Sequence, residues 1–227
     1  MLISFIKERG PWLAAVVLVL GLTSVLQASV SYTVNYGLLH GIAQGTFEPI
    51  MLISVVQISL LVLMAGLWLL RLKRVLFRCI TLSNSILTLS LLAQTYTLAL
   101  ILTGIHRNGI DELLVDVALI ATINILIFSI WYWIIDPPGV EDDQDLDKPW
   151  DFLFPQRGSA IPYYQSWTPH YTDYLFVAFT TSFAFSPTDV MPLTKRAKLL
   201  MMLQSSISIV TLTGLAGSAI NILASSA

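Results

Sequence analysis

Five apolar stretches, Trp12–Ser31, Ile50–Leu70, Leu76–Leu102, Leu113–Ile135 and Ala197–Leu223, constrain the fold of this chain more than any other feature. About 20 residues of α-helix cross the hydrocarbon core of a bilayer, so each is long enough to span. Only 11% of the 227 residues are charged, against about 25% in a soluble domain. So little charge cannot cover a water-facing surface. The expectation is an all-α integral membrane protein with five transmembrane helices and one re-entrant helix. The first stretch is the weakest, because Gln27 and a run of Ser, Thr and Asn blur its end. Lys7 and Arg9 give it the look of a signal peptide. Leu26, three before a cut after Ala28, is not small, which favours a retained anchor.

The connections set the organisation. The basic turn Arg71–Arg78 joins the second and third stretches, and His106–Asp111 joins the third and fourth. Such short links force antiparallel neighbours. The one long connection, Asp136 to Thr194, opens on Asp136, Glu141, Asp142, Asp143, Asp145, Asp147 and Asp151. That run reads as a solvated linker, or as a vestibule that concentrates cations at a pore mouth. The aromatics of Trp150–Gln156 suit the headgroup level. With the N-terminus cytoplasmic, eleven Lys and Arg fall inside and only Arg107 outside, so that orientation is expected.

Tyr171 to Phe185 is apolar but only 15 residues long, about 22 Å of helix, and falls short of the bilayer core. Thr168-Pro169 offers a cap before it, Asp173 suits its N-terminus, and Ser186-Pro187 ends it. A re-entrant helix has this layout, and so does an amphipathic helix lying on the membrane surface. In the last stretch Gln204, Ser208 and Thr211 share one helical face, which Ser218 extends. They read as pore lining or as polar glue between helices.

Phe179-Thr180-Thr181, followed by Asp189-Val190-Met191-Pro192-Leu193-Thr194, resembles the pore loop of potassium channels. The resemblance covers residues 113–223. It implies an outer helix 113–135, an acidic loop 136–170, a pore helix 171–185, a filter 182–189 and an inner helix 197–223. Residues 109–227 would form this module and 1–108 a three-helix N-terminal region. It also implies a homotetramer in a lipid bilayer, acting on monovalent cations. The implied pore and filter residues are Thr180, Thr181, Ser182, Phe183, Ala184, Phe185 and Asp189, with Gln204, Ser208 and Thr211 on the lining helix. Phe185-Ser186-Pro187-Thr188-Asp189, with the Lys195–Gln204 run Lys-Arg-Ala-Lys-Leu-Leu-Met-Met-Leu-Gln, also resembles a family of bacterial membrane proteins grouped with ion-channel-like sequences, which implies a bacterial inner membrane. Two features depart from the potassium-channel pattern. Ser182-Phe183-Ala184-Phe185 holds no glycine, and three further residues precede Asp189. Carbonyl-lined filters use backbone conformations that glycine visits cheaply. Phe183 and Phe185 instead suit a hydrophobic constriction or a plug. The positive-inside count also places the loop on the cytoplasmic side, opposite to potassium channels. The expected function is an ion-channel-like protein with an altered filter, weakly selective or non-conducting. The alternative is a structural or regulatory membrane protein that keeps the fold without conduction.

Other chemistry finds little footing. There is no Gly-x-Ser-x-Gly elbow and no phosphate-cradling glycine loop, and His40, His106 and His170 are scattered. Cys79 is the only cysteine, so neither an intrachain disulfide nor a metal cluster is expected. A net charge of −2 does not suit nucleic acid. Neither enzyme activity nor a cofactor is expected. Asp111, Glu112 and Asp116 anchor a helix start, or Asp116 serves a carrier or membrane enzyme. Asn84, Gln94 and Asn124 suit hydrogen bonds between helices.

Overall fold

The computed structural model describes residues 2–30, 34, 59–60, 62–64, 66–67, 73–103, 110–136, 150–164, 167–184 and 189–225. Four long helices dominate them: α1 (Leu2–Ser29), α2 (Lys73–Thr103), α3 (Ile110–Ile135) and α5 (Lys195–Ser225). Between α3 and α5 lie strand β1 (Phe152–Leu153), 3-10 turns at Pro155–Gly158 and Pro162–Tyr164, the short helix α4 (Tyr171–Ala184), and strand β2 (Met191–Pro192). The strands pair antiparallel, Phe152 with Pro192 and Leu153 with Met191. Two-residue strands carry no periodic signal, and the expectation of an all-α chain did not include them.

Among the described residues, three helices are long and apolar enough to cross a membrane: Val75–Leu102, Leu113–Ile135 and Lys195–Gly217. This is consistent with an integral membrane protein. Ala15–Ser29 is a shorter apolar helix. Of the expected span Ile50–Leu70, residues 59–60, 62–64 and 66–67 are helical and the remainder lies outside the described residues. α1 starts well before Trp12, and α2 absorbs most of the basic turn expected at Arg71–Arg78.

The chain divides into two compact units, one of residues 17–124 and 207–227, the other of 1–16 and 125–206. In the first, α2 buries Leu76, Ile80, Leu87, Leu91 and Leu98 on one stripe. Its Val75, Leu82, Leu89 and Tyr96, seven residues apart, are exposed. Hydroxyls in these apolar helices are satisfied locally: Thr81, Ser85, Thr95 and Thr122 each donate to the carbonyl four residues back. These four donors therefore need no water on an apolar face. Buried amides join helices instead. Gln27 Nε2 donates to the Leu87 carbonyl at 2.9 Å, and Asn124 Nδ2 to Ser208 Oγ at 3.0 Å. Asn124 thus makes the interhelical bond expected of it.

Gly214 marks a close approach between helices in this unit. A Cβ there would stand 3.1 Å from Val117 Cγ2 and 3.2 Å from Leu102 Cδ1. Gly214→Leu is expected to cost about 1–3 kcal/mol by overpacking. Gly217, where a Cβ meets nothing within 4 Å, should accept alanine with little change. Thermal unfolding in detergent compares the two.

Candidate functional site

The second unit gathers the ends of several elements around two buried carboxylates. α3 closes on Asp136, which is 1% exposed, and β1 is preceded by Asp151, which is fully buried. Burying a charge costs several kcal/mol unless it is paired and hydrogen-bonded. Both carboxylates meet that requirement. Arg157 reaches Asp136 through both terminal nitrogens, Nη2 to Oδ2 at 2.9 Å and Nη1 to Oδ1 at 3.5 Å. The Tyr174 hydroxyl donates to Asp136 Oδ2 at 2.6 Å, and the Asp151 backbone N–H to Oδ1 at 3.1 Å. Arg196 Nε donates to Asp151 Oδ1 at 2.6 Å and its Nη2 to Oδ2, while the Thr194 hydroxyl also donates to Oδ1. These are forked, charge-assisted pairs, the strongest kind of side-chain hydrogen bond.

Each carboxylate ties chain segments together. Through Arg157 and Tyr174, Asp136 joins the end of α3 to the first 3-10 turn and to α4. Asp151 joins β1 to the start of α5, whose Arg196 also donates to the Ile135 carbonyl at 3.1 Å. Thr194 caps α5 by accepting from the Ala197 N–H at 3.3 Å. Arg157 completes its surroundings by donating to the Phe152 carbonyl at 2.7 Å and lying 4.9 Å from the Trp150 ring centroid. Burial above all, and then the Asp136 carboxylate, push the Tyr174 phenol well above its ordinary range. It therefore stays protonated and keeps donating.

An aromatic cluster fills the space under this clasp. Phe152 packs on Tyr132 with centroids 5.1 Å apart, and Phe154 on Tyr174 at 5.5 Å. Phe152 and Phe154 are buried, so they form a small core rather than the headgroup belt expected of Trp150–Gln156. Only Trp150 of these aromatics stays exposed, at 41%.

α4 has 14 residues and starts at Tyr171, as expected. Its cap differs from the expected Thr168-Pro169. The His170 N–H donates to Asp173 Oδ2 at 2.6 Å, so the third helical residue reaches back to the residue before the helix. One face, with Tyr171, Tyr174, Val177, Ala178, Thr181 and Ser182, is buried. Tyr171 meets Ser129 at 2.6 Å, and burial pushes its phenol up to about 12. Since Ser129 gives its own proton to the Leu126 carbonyl at 2.7 Å, Tyr171 is the donor. The opposite face carries Phe176, Phe179 and Phe183, each about half exposed.

The far end of α4 is held by one fully buried side chain, Gln204. Its Nε2 donates to the Ala178 carbonyl at 2.8 Å and to Ser182 Oγ at 2.9 Å, and its Oε1 accepts from the Tyr132 hydroxyl. Every polar atom of the amide is used, and α3, α4 and α5 meet there.

The residues expected to form a filter are placed as follows. Thr180 and Thr181 donate to carbonyls of their own helix, Thr181 to Val177 at 2.7 Å. Ser182, Phe183 and Ala184 are helical. Their helical backbone differs from the extended backbone of a carbonyl-lined filter, so these three do not form one. Phe185 lies outside the described residues, and Asp189 is exposed. The Gln204, Ser208 and Thr211 stripe is turned inward, at 0%, 2% and 2% exposure. Those side chains pack and hydrogen-bond within the chain; the outward side of α5 carries Leu199, Met202 and Ile209. Of the acidic run, Asp136 and Asp151 are committed to arginines and do not face a vestibule; Glu141, Asp142, Asp143, Asp145 and Asp147 lie outside the described residues.

Asp136, Asp151, Arg157, Arg196, Tyr132 and Tyr174 were not singled out as partners by sequence reasoning. One signal was present: Asp136 ends an apolar helix, where a carboxylate opposes the helix dipole unless a cation answers it. No group of three or more His, Cys, Asp or Glu among the described residues is arranged to hold a metal. Compared with family models, curated proteins and solved structures, the chain matches none.

Proposed function

We propose that this chain is the subunit of an oligomeric, ion-channel-like membrane protein in which α4 is a re-entrant helix and the segment after it is an altered filter. The observation that carries the reading is the Gln204 contact. Arg196 binds the last carbonyl of α3, so the end of α3 and the start of α5 lie at one level. Gln204 is eight residues further along α5, about 12 Å deeper. α4 is tied to the end of α3 by Tyr174 and Asp136, to Ser129 six residues deeper on α3 by Tyr171, and to the level of Gln204 by Ala178 and Ser182. The chain is back at the starting level by Leu193, whose N–H donates to the Asp151 carbonyl at 2.9 Å. A segment that reaches part-way down and returns on the same side has the course of a pore loop. Non-helical backbone at such depth needs protein or water around it, which favours an assembly of copies; a homotetramer follows from the resemblance to potassium channels. The cation class, a bacterial inner membrane and a cytoplasmic N-terminus belong to the same proposal.

In this reading Phe183, whose ring centroid lies 4.8 Å from that of Phe179, belongs to the apolar obstruction that the sequence suggests for Phe183 and Phe185. Phe183→Gly together with Phe185→Gly is expected to raise monovalent cation flux in liposomes at least tenfold. Unchanged flux removes the obstruction. A chain that stays monomeric in both detergent and lipid removes the channel reading itself. Cysteine labelling at Asp189 from each side of the vesicle reads the orientation.

One observation favours the second reading, a structural or regulatory protein that does not conduct. The polar stripe of α5 is spent on packing within the chain, and the outward face is largely apolar. Correct assembly without flux of any cation, in the parent and in the double glycine variant, is its expected signature.

A further inference from the structure

β2 and the first turns of α5 present a surface that the clasp and the α4 contacts do not use. Met191 on β2 and Leu193 just after it are 65% and 45% exposed, and Leu199 and Met202 follow on α5 at 64% and 66%. Between them stand Lys195 and Lys198, both exposed. From Val190 to Gln204 there is no carboxylate, and the other cation of the stretch, Arg196, is already paired with Asp151. Trp150 adds a half-exposed ring close by, since the neighbouring Asp151 carbonyl accepts from the Leu193 N–H. Four large apolar side chains beside two lysines are unfavourable against water alone. The helix dipole gives the lysines no reward in this first turn.

We propose that this surface sits in the headgroup layer of the bilayer. Met191, Leu193, Leu199 and Met202 meet the acyl boundary, and Lys195 and Lys198 bind the phosphates of anionic lipids. Two observations select this occupant. The surface is continuous with the apolar span that begins at Lys195, and its charge is of one sign and opposite to that of an anionic headgroup. The inference rests on α5 being a membrane span and is independent of conduction. Seated there, the surface holds the start of α5 at the interface and so sets the depth at which Gln204 grips α4.

The test uses the full chain with Cys79→Ala, spin-labelled singly at Met191→Cys, Leu199→Cys or Ile209→Cys in vesicles of phosphatidylcholine with phosphatidylglycerol. Accessibility to oxygen and to a water-soluble nickel complex gives the depth of each label. Labels at 191 and 199 are expected near the headgroups and the label at 209 deep in the hydrocarbon. A nickel-exposed label at 209 overturns the span; a deep label at 209 with nickel-exposed labels at 191 and 199 overturns the interfacial seat alone. Spectral broadening between copies at 191 and 199 assigns the surface to a second copy and also overturns the proposal. In the same vesicles spin-labelled phosphatidylglycerol is expected to bind over phosphatidylcholine, with Lys195→Gln and Lys198→Gln each weakening the preference about fivefold. An unchanged preference in the double variant overturns the phosphate contacts.

Discussion

Asp136→Ala is expected to be the most destabilising single substitution in the described part of the chain. It leaves the Arg157 guanidinium, whose side chain is 5% exposed, without its counter-ion. It also strips the acceptor from the Tyr174 hydroxyl and from the Asp151 N–H. Breaking a buried pair from one side costs about 3–5 kcal/mol. For a chain of this size that lowers the unfolding midpoint in detergent by roughly 6–20 °C. Arg157→Ala is expected to fall in the same range. Removing both charges with apolar residues, Asp136→Leu with Arg157→Met, is expected to recover part of the loss, because no uncompensated charge stays buried. Asp151→Ala should cost less than Asp136→Ala, since the Arg196 side chain is 59% exposed and water can take over its solvation. Equal losses at the two aspartates, or a loss below about 1 kcal/mol at Asp136, would show that the clasp does not hold these segments together.

Gln204→Leu carries the second large effect. Leucine nearly fills the volume but offers no hydrogen bond, so the buried Tyr132 and Ser182 hydroxyls and the Ala178 carbonyl each lose a hydrogen bond. Unsatisfied buried groups cost about 1–3 kcal/mol each, and helical bonding still serves the Ala178 carbonyl, so a total of about 2–4 kcal/mol is expected. The local consequence is a loosened end of α4. A Phe183→Trp reporter should show a shifted emission maximum on adding Gln204→Leu, and none on adding Ser206→Ala, an exposed position on the same helix. A double substitution separates hydrogen bonding from packing. Gln204→Leu with Tyr132→Phe removes the stranded hydroxyl along with its partner, and replacing both members of a buried hydrogen bond by apolar groups of similar shape is nearly neutral. The pair is therefore expected to recover about 1 kcal/mol relative to Gln204→Leu alone. Unfolding midpoints in detergent that show the two losses simply adding would place the role of Gln204 in packing alone.

The helices were readable in the sequence because hydrophobic length is a local property. The described bounds of α2, α3 and α5 lie within a few residues of the stretches marked by composition. The start of α4 was readable for the same reason, since a short apolar run after a proline needs no long-range information. Partnerships were not readable. Gln204 lay on a recognised polar stripe, yet one stretch of sequence cannot say whether such a stripe faces a lumen or another helix; the choice depends on Tyr132, 72 positions earlier, and on Ser182, 22 positions earlier. Asp136 and Asp151 looked like the ends of one acidic run because proximity in sequence suggested a common role. Each is instead bound by its own arginine, 21 and 45 residues away.

The sequence by itself determined that long apolar helices would form, and that Tyr171 would begin one too short to cross a bilayer. Both follow from the length of helix that hydrocarbon demands and from residues that neighbour one another in the chain. Only the tertiary structure decided what the polar minority does. It buried the glutamine at the end of α4, and it closed two carboxylate–guanidinium clasps over a small aromatic core. The physical reason is that a buried polar group must find its partner in space, and that partner is supplied by whichever segment the fold brings alongside.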